Sequence, residues 1–136
     1  MNQAARSVLA AFTGIIVAVL IVWGVEALGH VVYAPPADLD FNDAEAMRAF
    51  IQTLPPGAFA FVLGGWLLGT LVGGWIAGLI AKRRPLLFAG IVGAVILAGA
   101  VFNLLFIPHP TWFSIAAVLG IPAMAWLASR LAQPRS

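Results

Sequence analysis

Apolar and polar residues do not alternate along this chain; the apolar ones form four long blocks separated by short polar breaks. The blocks cover residues 7–33, 57–81, 86–107 and 111–131. The second and third contain no charged residue, the first contains only Glu26, and the fourth stays uncharged until Arg130. Each reaches the roughly 20 apolar residues that a helix needs to cross a hydrocarbon core of about 30 Å. The period-two patterning of a barrel strand is absent. In lipid, a helix is then the remaining way to satisfy every backbone N–H and C=O within one segment. The pattern predicts an all-α membrane protein, a four-transmembrane-helix bundle forming a single integral membrane domain over residues 1–136.

The breaks have physical causes. Pro35-Pro36 ends the first span, because proline has no N–H to donate and its ring clashes with the preceding turn. Pro55-Pro56-Gly57 opens the second. Lys82-Arg83-Arg84-Pro85 and Pro108-His109-Pro110 make tight turns on either side of the third. Pro122 falls inside the fourth span and predicts a kink there. The polar loop of residues 34–56 is the one long break. Within it, Asn42-Asp43-Ala44-Glu45 reads as an N-cap with a glutamate at the third helical position. Met47, Phe50, Ile51 and Leu54 follow at helical spacing and make one apolar face. The loop should therefore carry a short amphipathic helix, lying on the membrane surface or folded over the mouth of the bundle.

Charge sets the orientation. Arg6, Lys82, Arg83, Arg84, Arg130 and Arg135 all fall on one side of a four-span topology. Arg48 sits in the opposite loop among Asp38, Asp40, Asp43 and Glu45. The positive-inside rule places both termini in the cytoplasm, in a membrane of the bacterial plasma (inner) type. A cleaved signal peptide is the weaker reading of the first block, whose apolar run is long and is followed by no A-x-A-like site. Trp75 and Trp126 near one interface, with Tyr33 and Trp112 near the other, fit an aromatic belt.

Composition narrows the remaining possibilities. With 62% hydrophobic and 9% charged residues, the chain could not cover a core with polar surface in water. It contains no cysteine, which excludes disulfides, thiolate catalysis and cysteine-based metal sites. The pI near 10 reflects a net charge of only +2. The basic residues form no stripe outside the membrane, so membrane lipid is the expected partner and nucleic acid is not. The Lys82–Arg84 turn could also touch anionic lipid headgroups. No G-x-S-x-G, H-E-x-x-H or P-loop pattern occurs, which points away from an enzyme.

Small residues mark the packing faces. Gly65, Gly69 and Gly73 recur every four residues in span two, with Gly74 and Gly78 on an adjacent strip. Such spacing lets helix backbones approach closely. Span one offers Ala10, Gly14 and Ala18, and span three Gly90, Ala94 and Ala98. Packing within one bundle is the simpler use of the span-two glycines; a homo-oligomer through that face is the alternative. The two halves of the chain also show a weak likeness around Trp75 and Trp126, within the range that generic membrane composition produces.

One constellation could carry chemistry. Glu26 and His30 lie one helical turn apart, with Trp23 and Tyr33 extending the same face. Helix rise places Asn103 at a similar depth and His109 just beyond it. An ionised carboxylate in lipid requires a partner. Three roles follow: a polar network of Glu26, His30 and Asn103 tying spans one and three together; a proton- or cation-coupled transporter subunit using Glu26 and His30; or a divalent-metal site built from Glu26, His30 and His109. No cofactor is required by any motif. A four-span plan with a glutamate in the first span is similar to that of small multidrug-resistance transporters. Their loops are short whereas the 34–56 loop is long, and no function is carried over. The expectation is a small multi-pass membrane protein of non-enzymatic role, with any active surface on the outer side.

Overall fold

The computed structural model describes residues 1–134; their regular elements are all helices, with no strand among them. Arg135, one of the orientation-setting basic residues, lies outside the described residues. The helices are α1 (Gln3–Val32), α2 (Ala44–Gln52), α3 (Pro56–Ala81), α4 (Pro85–Phe106) and α5 (Thr111–Ala132). Four of them, α1, α3, α4 and α5, are long and apolar enough to cross a membrane. The apolar blocks located them to within a residue or two, except at the start of α1. That helix begins at Gln3, because the Asn2 side chain accepts the Ala5 N–H at 2.7 Å and caps it. Hydropathy misses a polar first turn, since helix formation depends on capping as well as on apolarity.

α2 forms where the loop spacing predicts a helix, but its cap is displaced by one residue. Asp43, not Asn42, is the N-cap, and its carboxylate accepts the N–H groups of Glu45 (3.0 Å) and Ala46 (3.3 Å). Glu45 thus occupies the second helical position, where it cannot reach back to close a capping box. Its charge still favours the positive end of the helix. α5 runs unbroken through Pro122.

α3 is the hub of the bundle. It packs against α1, α4 and α5, while α4 also packs on α5 and touches α1. The glycines of α3 explain why. A Cβ on Gly73 would come within 2.5 Å of the Gly14 carbonyl oxygen and 2.8 Å of the Ala18 Cβ. One on Gly69 would lie 2.8 Å from the Ala18 oxygen. α1 presents Ala10, Gly14 and Ala18 to this seam, all buried. Gly74 and Gly78 face the other way, toward Ala128 and Ala132 of α5 and Ala89 and Pro85 of α4. Gly65, Gly69, Gly73, Gly74 and Gly78 are therefore packed against helices of the same chain. α4 departs from expectation. Its Gly90–Ala94–Ala98 strip is not the packing face: Gly90 has nothing within 4 Å of where a Cβ would stand. Ala89, Val92, Gly93, Ile96 and Ala100 are buried instead. Both strips satisfy small-residue spacing; contact with α3 and α5 selects the one carrying Gly93, against which Ala125 packs.

The turn between α3 and α4 holds two non-glycine residues in left-handed conformation, Lys82 (φ 62°) and Arg84 (φ 51°). Lys82 terminates α3 by donating its N–H to the Gly78 oxygen, a position glycine usually fills. An L-residue there costs about 1 kcal/mol. Lys82→Gly should therefore raise stability in detergent by about 1 kcal/mol; a lowered unfolding midpoint would show that the side chain itself anchors the turn.

Candidate functional site

At the end of the bundle opposite the Lys82–Arg84 turn, the helices splay around a cavity of about 210 Å³. α1 contributes Glu26, Gly29, His30 and Tyr33; α3 contributes Ala58, Phe59, Phe61 and Val62; α4 contributes Asn103. The fourth side is α2. Its Met47, Phe50 and Ile51, and Leu54 just beyond it, line the same space. α2 makes no close backbone approach to the other helices and contributes no buried residue. It is held by these apolar side chains and by the proline pairs at 35–36 and 55–56 that flank it.

The geometry of α1 sets the order of exposure around this cavity. At about 100° per residue, Gly29, Tyr33, Glu26, His30 and Trp23 fan outward from the bundle-facing side. Gly29 is buried, Tyr33 and Glu26 are partly buried, and His30 and Trp23 are exposed. Glu26 lies in the middle of the fan and His30 toward its rim. Trp23, expected to extend the face, is 65% exposed and turns away from the cavity. Tyr33 instead lies across α3: its hydroxyl occupies the space a Gly57 side chain would need, and its ring meets Phe61 edge-on at 6.1 Å.

The polar groups near the Glu26 carboxylate are His30 and the Trp66 indole; no hydrogen bond joins Trp66 to it among the described residues. Trp66 was not legible as a neighbour in the sequence. Its depth was the available signal: helix rise places it about 15 Å below Pro56, and Glu26 about 10 Å below Tyr33. Behind Trp66 lies an aromatic cluster. Trp66 meets Phe113 at 5.3 Å, Phe113 meets Phe59 at 5.9 Å, and His109 stacks on Phe113 at 4.7 Å with an interplanar angle of 13°. Phe113 is fully buried and forms the hub of this cluster.

His109 lines the cavity from the turn between α4 and α5. Its Nδ1 lies 2.7 Å from the Ile107 carbonyl oxygen. A carbonyl can only accept, so Nδ1 carries the proton and Nε2 is the free acceptor of the neutral ring. Burial among the aromatic rings pushes its pKa below the ordinary 6.5, partly opposed by the bond to Ile107. A histidine held neutral by the fold favours the folded state fully above about pH 6.5, the unfolded value. That contribution is lost as pH falls through this value toward the lower folded one. The wild type should lose unfolding midpoint between pH 7.5 and 5.5, and His109→Asn should lose less; equal losses would contradict the assignment.

All four sequence-singled polar residues, Glu26, His30, Asn103 and His109, line this one cavity. They do not assemble as metal ligands. Among the described residues, no group of three His, Asp or Glu side chains is placed to hold a metal ion, so the set of Glu26, His30 and His109 is not brought together. Glu26 and Asn103 share the cavity wall; no hydrogen bond joins them among the described residues.

Toward the basic end the bundle closes. The buried polar side chains are Thr70 and Ser129. Each is satisfied on its own helix, Thr70 Oγ1 donating to the Trp66 oxygen at 2.8 Å and Ser129 Oγ to the Trp126 oxygen at 2.6 Å. With the Gly14–Gly73 and Gly74–Ala128 contacts beside them, no continuous polar path runs through the described residues from the cavity to the basic end. No family model, curated protein or solved structure matches the chain.

Proposed function

We propose that the protein is a non-enzymatic, four-span integral membrane protein, with both termini in the cytoplasm of a bacterial-type inner membrane, that binds a small ligand in its outward-facing cavity. The observation that carries this reading is the convergence of Glu26, His30, Asn103 and His109 on one aromatic-walled space beneath α2. Ligand sites are mostly apolar hollows with a few convergent polar groups. A scaffold needs no such hollow. The left-handed Lys82 and Arg84 support the orientation: two cationic side chains stand in a turn whose backbone favours glycine. In this arrangement α2 is an amphipathic lid whose apolar face turns inward and whose Glu45 and Arg48 face water.

Proton- or cation-coupled transport through Glu26 and His30 is the second reading, favoured by the position of an acid in this cavity. It requires a second state in which the glycine seam between α1 and α3 parts to open the inner side. A divalent-metal role has less support, because the ligands are not grouped.

The absence of cysteine makes the test clean. In nanodiscs, Asn103→Cys should react readily with a small water-soluble thiosulfonate. Thr70→Cys, one step deeper, should be inert. An unreactive Asn103→Cys in a folded protein would refute an open cavity.

A further inference from the structure

Among the described residues, the cavity has an acid but no permanent cation at its level. Of the Lys and Arg residues, Arg48 lies on the exposed side of α2, Arg6 in the first turn of α1, and the remaining described ones in the 82–84 turn and near the end of α5. The polar groups near Glu26 are a rim histidine and an indole. A carboxylate set among apolar side chains is costly without a counter-charge, and a ligand can supply one.

The surroundings specify the kind of cation. Metal ions such as calcium need several oxygen ligands. Here the walls are Tyr33, Phe59 and Phe61, with Phe50 and Ile51 above. Aromatic faces attract organic cations and accommodate their apolar bodies. About 210 Å³ is smaller than the roughly 300–1,000 Å³ of sites that hold drug-sized molecules, so the body is about the size of a single ring. Outside the cavity, Asp38, Asp40, Asp43 and Glu45 are exposed around a single Arg48, which draws cations rather than anions to the entrance.

We propose that the cavity takes a small organic ammonium ion, its charged nitrogen on the Glu26 carboxylate and its apolar body against the aromatic wall beneath α2. This rests on the ligand-binding reading above. The shared chemistry, an ammonium group on an apolar body, could come from a soluble amine or from the headgroup region of an aminophospholipid.

The test uses the Asn103→Cys chain in nanodiscs of phosphatidylglycerol alone, with the rate of thiosulfonate modification as readout. Benzylammonium should slow the reaction saturably, by tenfold or more. Benzyl alcohol, of nearly the same shape, and benzoate should slow it little. Adding Glu26→Gln should abolish the protection, read as the ratio of rates with and without benzylammonium within that same chain. If Asn103→Cys does not react at all, the ligand-binding reading itself fails. If it reacts but benzylammonium protects no better than benzyl alcohol, the cavity stands and the ammonium proposal is overturned; this comparison needs no variant at Glu26. If protection survives Glu26→Gln, the assignment of the carboxylate is overturned. Replacing part of the lipid with phosphatidylethanolamine separates the sources. A slowed rate without added amine identifies the lipid headgroup as occupant, and an unchanged rate identifies a soluble amine; either supports the proposal when benzylammonium protects.

Discussion

Gly73→Ala is expected to destabilise the bundle by about 2 kcal/mol, and Gly73→Leu to prevent its assembly. The reason is that the neighbouring atom is backbone. A methyl at Gly73 would sit 2.5 Å from the Gly14 oxygen, which cannot move without shifting α1 as a whole. The improved helix propensity of alanine returns at most about 1 kcal/mol. Unfolding in mixed micelles measures the difference. The internal controls are Gly24, Gly64 and Gly99, whose missing Cβ atoms would meet nothing within 4 Å. Alanine at these positions should be neutral or stabilising by up to about 1 kcal/mol. If Gly73→Ala behaved like Gly64→Ala, the α1–α3 seam described above would be wrong.

Phe113→Ala should have the next largest effect. Phe113 is wholly buried and touches Phe59, Trp66, His109 and Trp112. In a water-soluble core such a truncation costs about 3–5 kcal/mol. In a bilayer the transfer part of that cost shrinks, because lipid is as apolar as the core, and the lost packing remains. A loss of about 2 kcal/mol follows. The substitution also removes the ring on which His109 stacks and opens space beside Trp66. It should therefore speed modification of Asn103→Cys and shift the tryptophan emission to the red. A destabilised protein with an unaltered cavity would separate the aromatic cluster from the site.

The sequence disclosed the helices better than their faces. Length and apolarity decide whether a segment can cross a bilayer, and both are local properties of residues 7–33, 57–81, 86–107 and 111–131. Which face packs is not local. Gly14 and Gly73 could be paired by spacing alone, but Gly90–Ala94–Ala98 has equally suitable spacing and lies outside the seam. The same division applies to the site. Glu26 and Asn103 could be placed at one depth by counting helix rise. Trp66 was invisible as a neighbour because its orientation depends on how α3 rotates against α1. The lining of the cavity by Met47, Phe50, Ile51 and Leu54 was half legible: their spacing defined a face, and only the fold shows that it turns onto the bundle rather than away from it.

The central claim is that the chain carries a cavity open from the outer side and sealed from the inner. Sidedness of Asn103→Cys modification tests it most directly. A membrane-impermeant thiosulfonate should react when added to intact spheroplasts and should fail when added to sealed inverted vesicles, with Arg83→Cys showing the reverse. Reaction of Asn103→Cys from the vesicle side, or from both sides alike, would contradict the account.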